Sequence, residues 1–232
     1  MTHADKSLLD VKITDFGFGV PWMGGGYNFN TLDFAVEADG PNWPNPPWST
    51  FLFRKLLENS NYQKRFINIF CDRFNSIFNS DHMINRLDSM ALNIQEVIPN
   101  HQNKWPDSAI DWGYHVQVIR TFAENRPEYM RNYLESFFDL SNLVQASFYS
   151  TSGGSIQINT IIPDSYPWVG EYYEDISISV EAIPDSGFIF VGWPQYPDSG
   201  ASMNIQVYED FNITAFFIPF LGGDSIDLVI NE

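Results

Sequence analysis

The sequence predicts an α+β chain, a mainly helical N-terminal domain followed by a small all-β repeat domain. Three observations carry that reading. Apolar residues recur at helical spacing up to about Leu140 and alternate with period two beyond it. All 12 Lys and Arg lie between Lys6 and Arg131, whereas the 29 acidic residues are spread over both parts, so a nearly balanced first part meets a strongly anionic second part. Turn-forming Gly, Pro, Asn and Asp clusters punctuate the second part at short intervals. The implied bounds are 1–140 for the helical part, 141–220 for the β module, and 221–232 for a linker or the start of a further domain.

The chain opens on residues without a clear pattern. Val11 to Thr14 can form a short strand that delivers Asp15 into a glycine-rich stretch ending in Gly24, Gly25 and Gly26. Glycine lets a backbone bend close to a ligand, and such loops stay at the surface. Pro44, Pro46 and Pro47 cannot continue a helix, so a first helix is expected over Thr50 to Asn59 with Ser49 as its N-cap. A second follows from Asn61, with Tyr62, Phe66, Phe70 and Phe74 on one stripe. Asp81 is the expected N-cap of a third, which Pro99 bends or ends. Pro106 and Asp107 open a fourth, with Ile110, Tyr114, Val118 and Phe122 on one face. Pro127 opens a short fifth through Tyr133 and Phe137.

Six strands are expected beyond Leu140: Ser147 to Ser150, Ser155 to Ile162, Ile176 to Ile183, Phe188 to Trp193, Met203 to Val207 and Ile213 to Phe217. The turns between them include Gly153-Gly154 and the run Pro184 to Gly187.

Composition removes several function classes. A net charge of −17 repels phosphate backbones, so nucleic acid is not an expected partner. The single cysteine, Cys71, excludes an internal disulfide framework and a multi-cysteine zinc site, and its place in a helical pattern makes it a buried thiol. The four histidines are scattered without ligand spacing. No apolar window reaches the length of a membrane span, and no signal peptide is read at the N-terminus. Gly24 to Gly26 lacks the Gly-Lys-Ser/Thr of a P-loop, and no Gly-x-Ser-x-Gly elbow is present.

Asp15-Phe16-Gly17 after a strand invites comparison with protein kinases, where that Asp holds magnesium against phosphates. No Gly-rich loop, strand lysine or His-Arg-Asp loop precedes it, which rejects an ordinary eukaryotic-type kinase. The longer pattern, at Thr14 to Gly19, Tyr27 to Leu32, Trp43 to Thr50 and Leu56 to Asn59, resembles the spore-coat protein H (CotH) kinase family. The likeness runs on through Arg126-Pro127 to about Leu140. It departs at Ile13, where the family carries a first Asp, so one carboxylate of that pair remains.

The resemblance implies the C-terminal part of an atypical kinase-like fold. For the intact protein it implies Mg- and ATP-dependent phosphorylation of a protein substrate. Asp15 is the expected magnesium ligand, and Asn28 and Asn30 are candidates to contact phosphate or a substrate hydroxyl. Asp10 and Asp33 are possible second carboxylates, whereas Glu58, Asp72 and Asp88 read as solvated helix positions. With the nucleotide-gripping lysine unrecognised, no cofactor is expected to bind this chain tightly, and it is expected to be inactive alone.

Gly154 to Phe217, with Val-x-Ala-Ile-Pro-x-x-Gly-Phe-x-Phe-x-Gly-Trp at its centre, resembles a divergent internalin B-repeat of bacterial surface proteins. This implies an extracellular or cell-surface setting and a spacer or adhesion role, the alternative reading of function. The closing Val-Ile-Asn-Glu is similar to the opening strand of a lamin-tail domain, which suggests a segment of a larger surface protein. Trp168, Tyr172, Tyr173, Trp193 and Tyr196 could form a platform for a glycan, or Trp193 and Phe190 could fill the module's core.

Overall fold

The computed structural model describes residues 26–38, 46–106 and 111–220. They fall into two compact units with the boundary between Ser141 and Asn142. The first unit is helical and the second is all β, an α+β chain.

Six helices are described in the first unit: α1 Thr31–Val36, α2 Phe51–Leu56, α3 Ser60–Phe74, α4 Ser80–Ile94, α5 Ile98–Lys104 and α6 Trp112–Phe138. α6 is the spine. Ala123, Met130 and Leu134 lie on one buried stripe of it, with Leu134 wholly shielded from water. The expected break at Pro127 does not occur. A proline inside a helix costs about 3 kcal/mol through its missing N–H and its clash with the preceding turn. Met130 and Leu134 on one side and Ala123 on the other hold the same stripe against the unit's core, and burying such side chains contributes a comparable amount each. The predicted fourth and fifth helices are therefore one helix of 27 residues.

α3 carries an aromatic ladder, Tyr62, Phe66, Phe70 and Phe74, each ring one helical turn from the next. Phe66 reaches Phe138 of α6 at 5.9 Å between ring centroids, and the Arg131 guanidinium lies 5.5 Å from the Phe74 ring. The ladder thus seats α3 on the end of α6. Cys71 is buried and not in a disulfide, as its pattern predicted. Asp72 corrects the sequence reading: it is fully buried beside Cys71 and Phe74 and engaged within the protein rather than solvated. A carboxylate can be removed from water only where other groups take over its solvation.

Cap chemistry also differs from expectation. Asn79 rather than Asp81 caps α4, accepting from the His82 amide, and Asp81 falls in the first turn. Asn59 accepts from the amides of Asn61 and Tyr62 and starts α3 one residue early. Thr50 rather than Ser49 precedes α2, and it makes no side-chain cap: its Oγ1 accepts from Arg54 Nη1 at 2.6 Å, while the Ser49 hydroxyl donates to the Pro46 carbonyl at 2.8 Å. Pro99 stands at the start of α5, where its missing N–H costs nothing.

The second unit has two sheets. One orders its strands β3-β1-β7-β5, the other β2-β4-β6. The strands are β1 Leu143–Ser150, β2 Gly154–Ile158, β3 Trp168–Tyr173, β4 Ile178–Pro184, β5 Phe188–Gly192, β6 Ser202–Ile205 and β7 Phe211–Pro219. β1 and β7 run parallel, with Phe148 opposite Ile213, while every other pair is antiparallel. Alternate residues of β1 and β7 point inward, so Ala146, Phe148, Ile213 and Ala215 are all wholly buried. From the other sheet Ile156, Ile158, Ile178 and Val180 join this core.

β3 has no counterpart in the six predicted strands. Its inward position 170 is a glycine, which blurs the period-two signal. The predicted strand from Ser155 to Ile162 stops at Ile158 because Asn159 turns the chain with φ of 44°. Its side chain then accepts from the Ser179 amide at 2.8 Å, which suits asparagine to that position. The phenol of Tyr166 donates to the Ile156 carbonyl and accepts its amide, and burial pushes that phenol's pKa up.

Tyr172, Tyr173 and Trp193 are buried, and the Trp193 indole N–H donates to the Gly200 carbonyl at 2.9 Å. These rings fill the core and offer no face to a sugar, which removes the aromatic platform as first drawn.

The Gly153 turn is the tightest point of the module. Its φ is 102°, and a Cβ there would stand 2.0 Å from the Phe188 ring. Gly153→Ala is expected to cost about 2 kcal/mol in urea unfolding monitored by tryptophan fluorescence. A cost below about 0.5 kcal/mol would show that the turn relaxes freely.

Candidate functional site

The chemistry implied by the sequence motifs falls, along the chain, between the glycine run and the proline–tryptophan corner. The described part of this stretch is held by one side chain of α6. Arg126, 3% exposed, donates through Nη1 to the carbonyls of Tyr27 at 2.9 Å and Phe29 at 2.6 Å. Its Nη2 donates to Thr31 Oγ1 at 2.9 Å. The Thr31 hydroxyl in turn points to the Met130 sulfur at 3.7 Å. Tyr133, two turns further along α6, donates its phenol to the Asn28 carbonyl. Tyr27 packs on Tyr129 with ring centroids 5.5 Å apart.

Four residues of α6, within about two helical turns, therefore hold Tyr27, Asn28, Phe29 and Thr31 of the loop. The guanidinium suits this task because its donors form a rigid fork that serves several acceptors at once. Burial lowers the Arg126 pKa to about 10, which Tyr133 partly opposes, and it remains charged at neutral pH. Desolvation also raises the Tyr133 phenol, so it stays a neutral donor.

Asn30 caps α1. Its Oδ1 accepts from the Asp33 amide at 3.1 Å and its Nδ2 donates to Asp33 Oδ2 at 2.7 Å. The two predicted residues Asn30 and Asp33 are thus brought together, but on each other. Asn28 is exposed at the crest of the loop, with its carbonyl turned to Tyr133. Asp15 and Asp10 lie outside the described residues, as do Gly24, Gly25 and Trp43.

The second edge of the stretch is the Pro46-Pro47-Trp48 corner. Arg54, one turn into α2, reaches back with Nη2 to the Pro47 carbonyl at 2.8 Å and with Nη1 to Thr50 Oγ1 at 2.6 Å. Trp48 is 80% exposed at the tip. A hollow of about 400 Å³ opens beside this corner, lined by Val36, Arg54, Leu57, Glu58, Gln63, Phe137 and Phe138. Its floor is aromatic and its rim carries both signs of charge, the Glu58 carboxylate being paired with Lys55 at 2.6 Å. Asp88, the other carboxylate read as solvated, pairs with Arg120 across α4 and α6.

Among the described residues no three His, Cys, Asp or Glu side chains converge as metal ligands. Asp15, the ligand that the motifs imply, lies outside the described part. What the described part does supply is a loop held by side chains of α6, an exposed asparagine and a mixed hollow.

Arg126 is the residue whose role the motifs alone did not assign. The signal was present: an arginine interrupts the stripe Ala123, Met130, Leu134 at a position where an apolar side chain would fit. Arg126→Leu is expected to destabilise the helical unit by at least about 3 kcal/mol, since it strands two carbonyls and a hydroxyl. Tyr133→Phe removes one hydrogen bond and should cost about 1 kcal/mol. Urea unfolding followed by far-ultraviolet circular dichroism measures both, and an Arg126→Leu cost as small as that of Tyr133→Phe would contradict the clamp.

No curated protein and no solved structure matches the chain. The family model described as CotH kinase protein matches residues 14–130, just over half of the chain, and it spans the loop, the corner and α6 as far as Met130. The chain belongs to the CotH kinase family.

Proposed function

We propose that the intact protein transfers the γ-phosphoryl group of ATP, with magnesium, to a protein acceptor. The clamped loop of residues 27–31 then forms part of the wall of the phosphate-handling cleft. The observation that supports this most is the use of a buried guanidinium to fix a surface loop. Three hydrogen bonds from one buried guanidinium fix the loop's shape, and functional groups must be kept within a fraction of an ångström of their working positions. Phosphoryl transfer depends almost wholly on such positioning and on charge stabilisation.

In this reading Asp15 is the magnesium ligand and Asn28, exposed on the crest, contacts a phosphate or the acceptor hydroxyl. Asn30 shapes the loop through its cap. Magnesium, when bound, would neutralise charge on the phosphates. The residues described here orient the loop and shield its backbone from water. The β module, by its likeness to a B-repeat, is taken as a spacer or contact module on a bacterial surface. No described helix is long and apolar enough to cross a membrane.

These 232 residues alone are expected to be inactive. Calorimetry of the chain with ATP should give no magnesium-dependent heat, and tight metal-dependent ATP binding would overturn that expectation. In the natural protein, Asp15→Asn should lower transfer of label from γ-labelled ATP by at least about a hundredfold, with circular dichroism unchanged. Transfer at the native rate would remove Asp15 from the reaction.

A further inference from the structure

The outer face of the four-stranded sheet carries exposed apolar side chains where a face turned to water is ordinarily polar. Tyr149 of β1, Ile189 and Val191 of β5, and Phe216 and Ile218 of β7 are each 41–58% exposed, and Phe220 just beyond β7 is 62% exposed. They form one surface. Ile189 stands opposite Ile218, Phe216 lies opposite the β5 bulge that carries Val191, and Tyr149 is the partner of Thr214, two residues from Phe216 on the same face. An antiparallel or mixed sheet with one face on a core ordinarily turns polar residues to water on the other. A contiguous apolar patch of this kind marks an interaction site.

The charge around it selects the partner. Residues 142–220 carry nine Asp and Glu and not one Lys, Arg or His. Exposed Glu171 stands opposite Gln145 at one end of this face, and Asp210 accepts the Gln145 amide there at 2.7 Å. Exposed Asp185 lies at the other end, where its carbonyl accepts the amide of Phe188 beside Ile189. An apolar centre with carboxylates at both ends and no cation in the module complements a surface that is apolar at its centre and cationic at its edge. Copies of the module repel one another, and nucleic acid or anionic lipid is repelled likewise.

We propose that this sheet face docks a basic polypeptide, one that presents alternating apolar and Lys or Arg side chains. The inference is independent of the phosphotransfer reading, since it uses no residue of the helical unit.

Fluorescence anisotropy of the full chain with two labelled peptides tests it, one alternating Leu and Lys and one alternating Ser and Lys with the same charge. The Leu–Lys peptide should bind at least about tenfold more tightly than the Ser–Lys peptide. The triple variant Val191→Thr, Phe216→Thr, Ile218→Thr keeps the charge and the β preference, and should bring Leu–Lys binding down to the Ser–Lys level. Glu171→Gln with Asp185→Asn and Asp210→Asn should weaken both peptides and flatten their salt dependence. Thermal melts within a few degrees of the native chain would show that the variants fold. Equal binding of the two peptides, or Leu–Lys binding unchanged in the triple variant, would overturn the proposal. So would a face that serves another occupant, read as self-association in sedimentation equilibrium, or as uptake by phosphatidylcholine vesicles, that the triple variant abolishes.

Discussion

The contact on which the helical unit depends is the three-way grip of Arg126 on Tyr27, Phe29 and Thr31. A charged group buried this deeply is unfavourable unless its protons are placed on acceptors, and those acceptors here are backbone carbonyls that would otherwise need water. Each side therefore solves the other's problem. The loop has no regular structure of its own until α1 begins at Thr31, so its shape is borrowed from α6. The same arrangement explains why α6 runs straight through Pro127. Residues on both sides of the proline, Arg126 and Met130 among them, must stay on one face for the grip to close.

The β unit rests on a different constraint. β7 is shared: its first half pairs in parallel with β1 and its second half pairs antiparallel with β5. A parallel pair cannot be closed by a tight turn, so the whole module between Ser150 and Phe211 is the crossover that joins these two strands. Thr151 ties the joint, accepting the Phe217 amide at 2.8 Å where β1 ends. The inner face is then filled, and the outer face is left apolar amid a purely anionic surface.

Much of this was legible in the chain. The Phe66, Phe70, Phe74 stripe announced α3, the period-two runs announced most strands, and the motif segments named the family. What was missed has two causes, packing that overrides local preference and elements too short or too irregular to show a period. Pro127 reads as a break because its local cost is visible and the burial of Leu134 is not. α1 has only six residues and one buried side chain, Leu32, too little for a helical period to show. Asp72 reads as solvated because a lone carboxylate among helical polar positions carries no mark of the neighbours that bury it. Tyr172, Tyr173 and Trp193 could be binding rings or core in sequence, and their burial decides for core. Arg126 was readable in principle, as a cation placed on an apolar stripe.

Hydrogen exchange at the amides of Phe34 and Glu37, which close α1 onto Asn30 and Asp33, tests the grip most directly. Arg126→Lys keeps the charge but replaces the fork with a single ammonium. If Arg126 holds this segment in shape, those two amides lose protection in Arg126→Lys while the amides of α4 keep theirs. Protection at Phe34 and Glu37 equal to that of the native chain would mean that the segment holds itself, and that the buried guanidinium has another purpose.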